Sequence, residues 1–182
     1  MEEIKLLISG CLKGKADYQT KFYRMFSKKM FGVCLLYTKD RTEAEDILQE
    51  GFVKVFQNLS SFKHECSPEF WMRRIFINTA LERFRKQRIM YASNEFDACD
   101  DLTSDFTVAN EINAKELMDM VHELSPQYRL VFNLYAIEGY AHKEIAEMLD
   151  INEGTSKSNL ARARKILQNM VNKYFDSMRK VV

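Results

Sequence analysis

His142-Lys143-Glu144-Ile145-Ala146-Glu147-Met148-Leu149-Asp150-Ile151-Asn152-Glu153-Gly154-Thr155-Ser156-Lys157-Ser158-Asn159-Leu160-Ala161-Arg162-Ala163-Arg164-Lys165 is two helices hinged on a tight turn. In the first, Ile145, Ala146 and Leu149 recur at helical spacing and face inward. Ala146 is small, which lets a second helix cross close by. Asp150 to Asn152 is the turn. Ile151 fills the gap between the helices, and Asn152 offers a side-chain oxygen to cap the helix that follows. Leu160, Ala163 and Leu167 give that second helix its inner face, while Lys157, Ser158, Ala161 and Arg162 form an outer stripe. This is the grammar of a helix-turn-helix, whose second helix enters the major groove by its N-terminal half. Lys157 and Arg162 suit guanine edges or phosphates. Thr155 and the N–H groups of the first turn suit a phosphate.

The rest of the chain is helical by the same criteria. With six glycines and two prolines in 182 residues, it lacks the turn residues that a β-sandwich or barrel requires. Hydrophobic residues make up 46% and charged residues 29%, enough for a core and a solvated surface. In the first segment, roughly residues 4–36, Phe22, Met25, Phe26, Met30 and Val33 recur at helical spacing. Thr42 with Glu45 reads as a capping box ahead of an apolar stripe of Ala44, Ile47, Leu48, Phe52, Val55, Phe56 and Leu59. A loop follows, residues 61–68. Residues 69–90 then read as a long helix with Phe70, Ile75, Ile77, Leu81 and Phe84 as its apolar positions. Ser125-Pro126 is a start signal, with Ser at the N-cap and Pro at the first helical position.

The net charge of +1 hides a strong segregation. Seven Lys/Arg against three acids lie between Lys63 and Arg88, and seven against two lie from Glu153 onward. Six acids and no base lie between Glu95 and Glu111. Two basic segments flank an acidic one that has no apolar period and cannot bury enough surface to order itself. The expected architecture is all-α, two small helical domains joined by a flexible acidic linker. Residues 1–91 form the first domain, 92–112 the linker, and 113–182 the helix-turn-helix domain. Cys11, Cys34, Cys66 and Cys99 show no CxxC spacing, and His64 beside Cys66 does not make a metal site. No signal peptide or membrane-crossing run is read, so a cytoplasmic protein with reduced thiols is expected. No cofactor, phosphate loop or nucleophile–base pair is found, and no enzyme activity is expected.

Tyr140 to Leu149 and Gly154 to Arg164 resemble the promoter-binding helix-turn-helix of RNA polymerase sigma factors of the extracytoplasmic-function group. Leu124 to Arg129 looks like the start of the same domain. In the N-terminal half, Glu43-Ala44-Glu45-Asp46-Ile47-Leu48-Gln49-Glu50 with Phe52, Lys54 and Val55 resembles the sigma segment that docks on the clamp helices of the polymerase largest subunit. Asp46, Gln49, Glu50 and Val53 lie on a stripe away from the apolar one, and an acidic, amide-bearing stripe suits a basic partner. Phe70 to Ala80 resembles the segment that opens the −10 element, where aromatics beside basic residues suit unstacked bases.

The resemblance implies a sigma factor that binds core RNA polymerase at its clamp and flap and directs initiation at promoter DNA. Glu45, Asp46, Gln49, Glu50, Val53 and Lys54 would bind polymerase. Ser61, Phe62, Lys63, Trp71, Arg74, Asn78 and Arg83 would bind the −10 DNA, with a flipped base in the 61–67 loop. Thr155, Lys157, Ser158, Ala161 and Arg162 would bind the −35 duplex. Trp71 reads equally as stacking plane or core. The family commonly has an anti-sigma partner. Ala141, Asp150, Asn159 and Gly51 depart from the family pattern. Asn159 stands where an Arg is common and is expected to shift −35 preference, and Gly51 is expected to cost its helix up to about 1 kcal/mol. The competing reading is a stand-alone helix-turn-helix regulator, dimeric and bound to a palindrome.

Overall fold

In the computed structural model, which describes residues 2–90 and 113–179, every regular element is helical. The first segment is two helices, not one: α1 (Glu2–Leu12) and α2 (Ala16–Tyr37). They part at Gly14, whose φ of 71° is a backbone state that ordinary residues avoid. Gly10 sits where a Cβ would meet the Tyr18 ring at 2.1 Å, so the two helices approach closely at this hinge. Phe22, Phe26, Met30 and Val33 are buried as the period requires, whereas Met25 is 44% exposed.

α3 (Arg41–Asn58) begins one signal earlier than Thr42 suggests. The N-cap is Asp40, whose carboxylate accepts from the Glu43 N–H at 2.8 Å. Asp-x-x-Glu competes with Thr-x-x-Glu in this stretch, and the charged acceptor two residues upstream wins the orphan N–H. Glu45 is thereby released to pair with Arg41 at 2.8 Å. A 3-10 turn, Leu59–Ser61, closes the helix.

α4 (Pro68–Met90) follows a short loop. Its inner face is Met72, Phe76, Ile77, Ala80 and Leu81. Phe70, expected inside, is 67% exposed: Met72 and Phe76 set the phase of the buried stripe, and Phe70 falls on the opposite side. α2 packs on α1, α3 and α4, and α3 packs on α4. An aromatic cluster sits at their centre. Phe52 meets Phe76 edge-on at 5.3 Å, and Phe22 stacks obliquely on Phe26 at 4.8 Å and on Phe56 at 5.8 Å. Gly51 is what permits the α3–α4 approach, because a Cβ there would stand 2.3 Å from the Phe76 ring. Its expected helix penalty is the cost of that contact.

The chain divides into two compact units, Met1–Ala92 and Ser93–Val182. The expected linker, residues 92–112, lies outside the described residues. In the second unit, α5 (Ala114–Glu123) opens with a reciprocal cap in which Asn113 accepts from the Glu116 N–H and Glu116 accepts from the Asn113 N–H. α6 (Pro126–Phe132) has Ser125 at its N-cap and proline at its first position, although the Ser hydroxyl makes no capping bond. It runs into a π-helical turn, Asn133–Ile137, that ends before Gly139 at φ 78°. α7 (His142–Leu149) and α8 (Glu153–Arg179) complete the unit. Val121 and Leu124 pack with Ala163 and Leu167, and Met118, Tyr128, Phe132 and Met170 close over them.

Candidate partner and DNA interfaces

The outer face of α3 carries the six residues expected to dock on polymerase. Gln49 is exposed and Val53 is 55% exposed. The charged four are held in ion pairs. Glu45 pairs with Arg41, and Asp46 Oδ2 accepts from Arg83 Nη2 at 2.8 Å. Lys54 Nζ lies 3.1 Å from Glu50 and 2.7 Å from Glu82. Burial works to lower the Lys54 pKa, but the hydrogen bonds it donates to Glu82 and Glu50, with their negative charge, outweigh it, and the ammonium titrates above its ordinary value. Lys54 is therefore a strut between α3 and α4.

The residues expected at the −10 element fall into two groups. In the loop, Ser61 donates to the Asn58 carbonyl at 2.7 Å, and Lys63 is exposed. Phe62 is only 7% exposed. Its ring centre lies 4.7 Å from His64 and 5.2 Å from Trp71. It is thus the support under these two rings and not itself a surface for a base. Trp71 is half-buried on Phe62, so it is neither core nor free plane: one part packs and the other faces outward. His64 holds a φ of 60°, which bends the loop back over the Phe62 ring. On α4, Arg74 and Asn78 are exposed in an i, i+4 row that begins at Phe70. Arg83 lies apart from that row, paired with Asp46. Ser67 Oγ accepts from the Phe70 N–H at 3.2 Å and anchors the start of the helix.

In the helix-turn-helix, Asp150 ends α7 in the left-handed region at φ 54°, ψ 52°. The Ile151 N–H reaches back to the Ala146 carbonyl at 3.0 Å, the bond pattern that glycine usually supplies at lower strain. Ala141 has no side-chain acceptor for the start of α7. The reciprocal half of the cap exists alone, with the Ala141 N–H donating to Glu144 at 2.8 Å. Asn152 caps α8, accepting from the Thr155 N–H at 2.7 Å and from its hydroxyl at 3.0 Å. The Thr155 N–H, one of the first-turn groups expected to hold a phosphate, is therefore occupied.

On the outer stripe of α8, Lys157 is exposed and reaches Glu153 at 2.7 Å, which holds the Glu153 carboxyl below its ordinary pKa. Ser158 and Ala161 are half-exposed, and Arg162 donates to the Tyr128 hydroxyl at 3.2 Å. Asn159 is 6% exposed. It lies on the inner side of the helix with Leu160 and Ala163, so the substitution expected to shift base preference is a packing position.

Sequence spacing missed the group that holds α8 in place. The His142 ring stacks on Tyr135 at 4.7 Å and 23°, and its Nδ1 lies 2.9 Å from the Oγ of fully buried Ser156. Arg164 lies over the same Tyr135 ring at 5.5 Å. Burial, then the positive charge of Lys157, push the His142 pKa below its ordinary 6.5. His142, Ser156 and Arg164 carry no local pattern that ties them together. Only the fold brings the π-helical turn, α7 and α8 to one point.

Among the described residues, no three His, Cys, Asp or Glu side chains gather as a metal site, and no helix is long and apolar enough to cross a membrane. Family comparison matches residues 22–89 to Sigma-70 region 2 and residues 114–167 to Sigma-70, region 4. The chain is 27% identical over 158 residues to the ECF RNA polymerase sigma-E factor of Haemophilus influenzae, covering 80% of this chain and 83% of that protein. It is 28% identical over 181 residues to the ECF RNA polymerase sigma factor SigW of Bacillus subtilis, covering 92% and 96%. Among solved structures, the sigma factor RpoE in complex with the anti-sigma factor NepR, from Bartonella quintana, shares the fold, with a TM-score of 0.51 at 18% identity over 84% of this chain and 96% of that one.

Proposed function

The chain belongs to the sigma-70 family, in its extracytoplasmic-function group, and from that premise we propose how it works. It is a sigma factor that binds core RNA polymerase and directs promoter-specific initiation. The observation that carries this is the pairing of two family segments in order. Region 2 falls in the first compact unit and region 4 in the second. A stand-alone helix-turn-helix regulator has no use for region 2, so the dimeric alternative is not favoured.

In this reading, residues 1–91 dock on polymerase and open the −10 element, residues 92–112 link, and residues 113–182 hold the −35 duplex. Gln49, Val53, Glu45 and Glu50 face the polymerase clamp, with Asp46 at their edge. Lys63, Trp71, Arg74 and Asn78 face separated DNA, because exposed cations beside an outward aromatic edge supply both backbone neutralisation and a stacking plane. Lys157, Ser158, Ala161 and Arg162 face the −35 groove. The protein contributes binding, and the chemistry belongs to the polymerase. It acts in the cytoplasm, where its polymerase is, and an anti-sigma factor binds it; the structurally similar RpoE was solved in complex with the anti-sigma factor NepR.

Transcription in vitro with bacterial core polymerase on a pool of host genomic fragments tests this. Start sites that appear only with the protein, preceded by two motifs at fixed spacing, are the expected result. No new starts, together with a footprint on a palindrome by the protein alone, would return the classical regulator.

A further inference from the structure

The family resemblance implies two different interfaces for Asp46 and Arg83, one for polymerase and one for DNA, yet they bind each other at 2.8 Å. Eight positions along from Asp46, Lys54 draws Glu82, the neighbour of Arg83, onto the same face of α3. A seam of opposite charge thus closes the docking stripe onto the DNA helix. The packing does not require the Asp46–Arg83 link. Gly51 against Phe76, and Phe52 edge-on to Phe76, already fix α3 on α4 beneath it. Nor is the pair sunk in the core, for its side chains are 52% and 32% exposed. Both partners stay within reach of outside ligands of opposite sign.

We propose that the Asp46–Arg83 pair is a lock between the two interfaces: in the free chain it withholds Arg83 from DNA, and a basic surface that takes Asp46 releases it. The inference rests on the functional reading above. The physics is competition for one carboxylate. A Lys or Arg of the docking partner beside Asp46 weakens its hold on the guanidinium, whose flexible stem then lets it turn to a phosphate. Linkage makes the effect reciprocal, so DNA that captures Arg83 must strengthen Asp46 for the basic partner by the same factor. Pairs this exposed couple weakly, so the factor is about two- to fivefold and falls as salt rises. Lys54 has no such freedom, being shared by two carboxylates and held above its ordinary pKa.

The test measures binding of a fluorescein-labelled single-stranded oligonucleotide of mixed sequence to the full chain at low salt, without polymerase. The variants are Asp46→Asn, Arg83→Gln, the double change, and Glu45→Gln as a control for loss of one negative charge on the same helix. Thermal unfolding of each confirms that it folds. Arg83→Gln is expected to weaken binding, and Asp46→Asn to strengthen it about two- to fivefold, more than Glu45→Gln does. Asp46→Asn is expected to change nothing on the Arg83→Gln background. An equal gain on that background, or an equal gain from Glu45→Gln, overturns the lock while leaving Arg83 as a DNA contact. Full binding by Arg83→Gln overturns both the lock and the placement of Arg83 in the DNA interface, leaving the rest of the proposed function standing.

Discussion

Residue 51 and the Phe76 ring stand so close that any side chain on the first would collide with the second, at 2.3 Å for a bare Cβ. Replacing glycine with alanine inside a helix normally gains about 1 kcal/mol. Here overpacking costs about 1–3 kcal/mol, so Gly51→Ala is expected to lower stability on balance. Adding Phe76→Leu should recover part of the loss, because it clears the space. Urea unfolding of the two variants and wild type checks the sign. A stabilised Gly51→Ala would mean that the helices part more easily than this contact suggests.

The start of α3 offers a sharp contrast between two neighbours. Asp40→Ala removes the oxygen that holds the Glu43 N–H and is expected to cost about 1 kcal/mol. Thr42→Ala, in the first turn of the helix, should stay within about 0.5 kcal/mol of wild type. Unfolding midpoints of the two single variants separate them, and the reverse order would restore Thr42 as the cap.

The second unit should lose stability in mild acid. His142 titrates below its ordinary 6.5 when folded, so the unfolded chain takes up the proton first as pH falls. Folding stability is therefore fully present above about 6.5 and declines as pH falls from there through the folded value. His142→Gln keeps a polar group near Ser156 without titrating. Its melting temperature should vary less than that of wild type over this window, as followed by thermal melts across a pH series.

On α8, position 157 is expected to contact DNA and position 159, 6% exposed, to support the fold. Lys157→Ala is expected to weaken binding to a cognate −35 duplex and to reduce its salt slope by about one. Asn159→Ala is expected to lower the melting temperature instead, with the salt slope kept. Fluorescence anisotropy over a salt series, alongside thermal melts, distinguishes the two. A change in base preference at Asn159 with unchanged stability would place that side chain in the groove.

These cases also show what was legible in the chain. The helix-turn-helix was plain because its period, its Asn152 cap and its small Ala146 all act over a few residues. The inner faces of α3 and α8 followed from their stripes for the same reason. In α4, Ile77 and Leu81 followed but Phe70 did not, because Phe70, Met72, Ile75, Phe76 and Ile77 are apolar on nearly all sides. Only the packing of α2 and α3 chose Met72 and Phe76 over Phe70. Asn159 looked like a reading residue because the resemblance puts it where an Arg is common, whereas it is buried beside Leu160 and Ala163. The ties between sites were invisible in principle. Asp46 to Arg83 and Tyr135 to His142 join residues that spacing cannot relate.

The stack of Arg164, Tyr135 and His142, with His142 on Ser156, ties α8 to α7 and to the π-helical turn. Ser158 and Ala161 make no contact with that stack. In the proposed reading, sequence preference rests on one side of α8 and this stack on another. A lineage could rewrite the outer side, and with it the set of genes answered to, one residue at a time without passing through an unfolded ancestor.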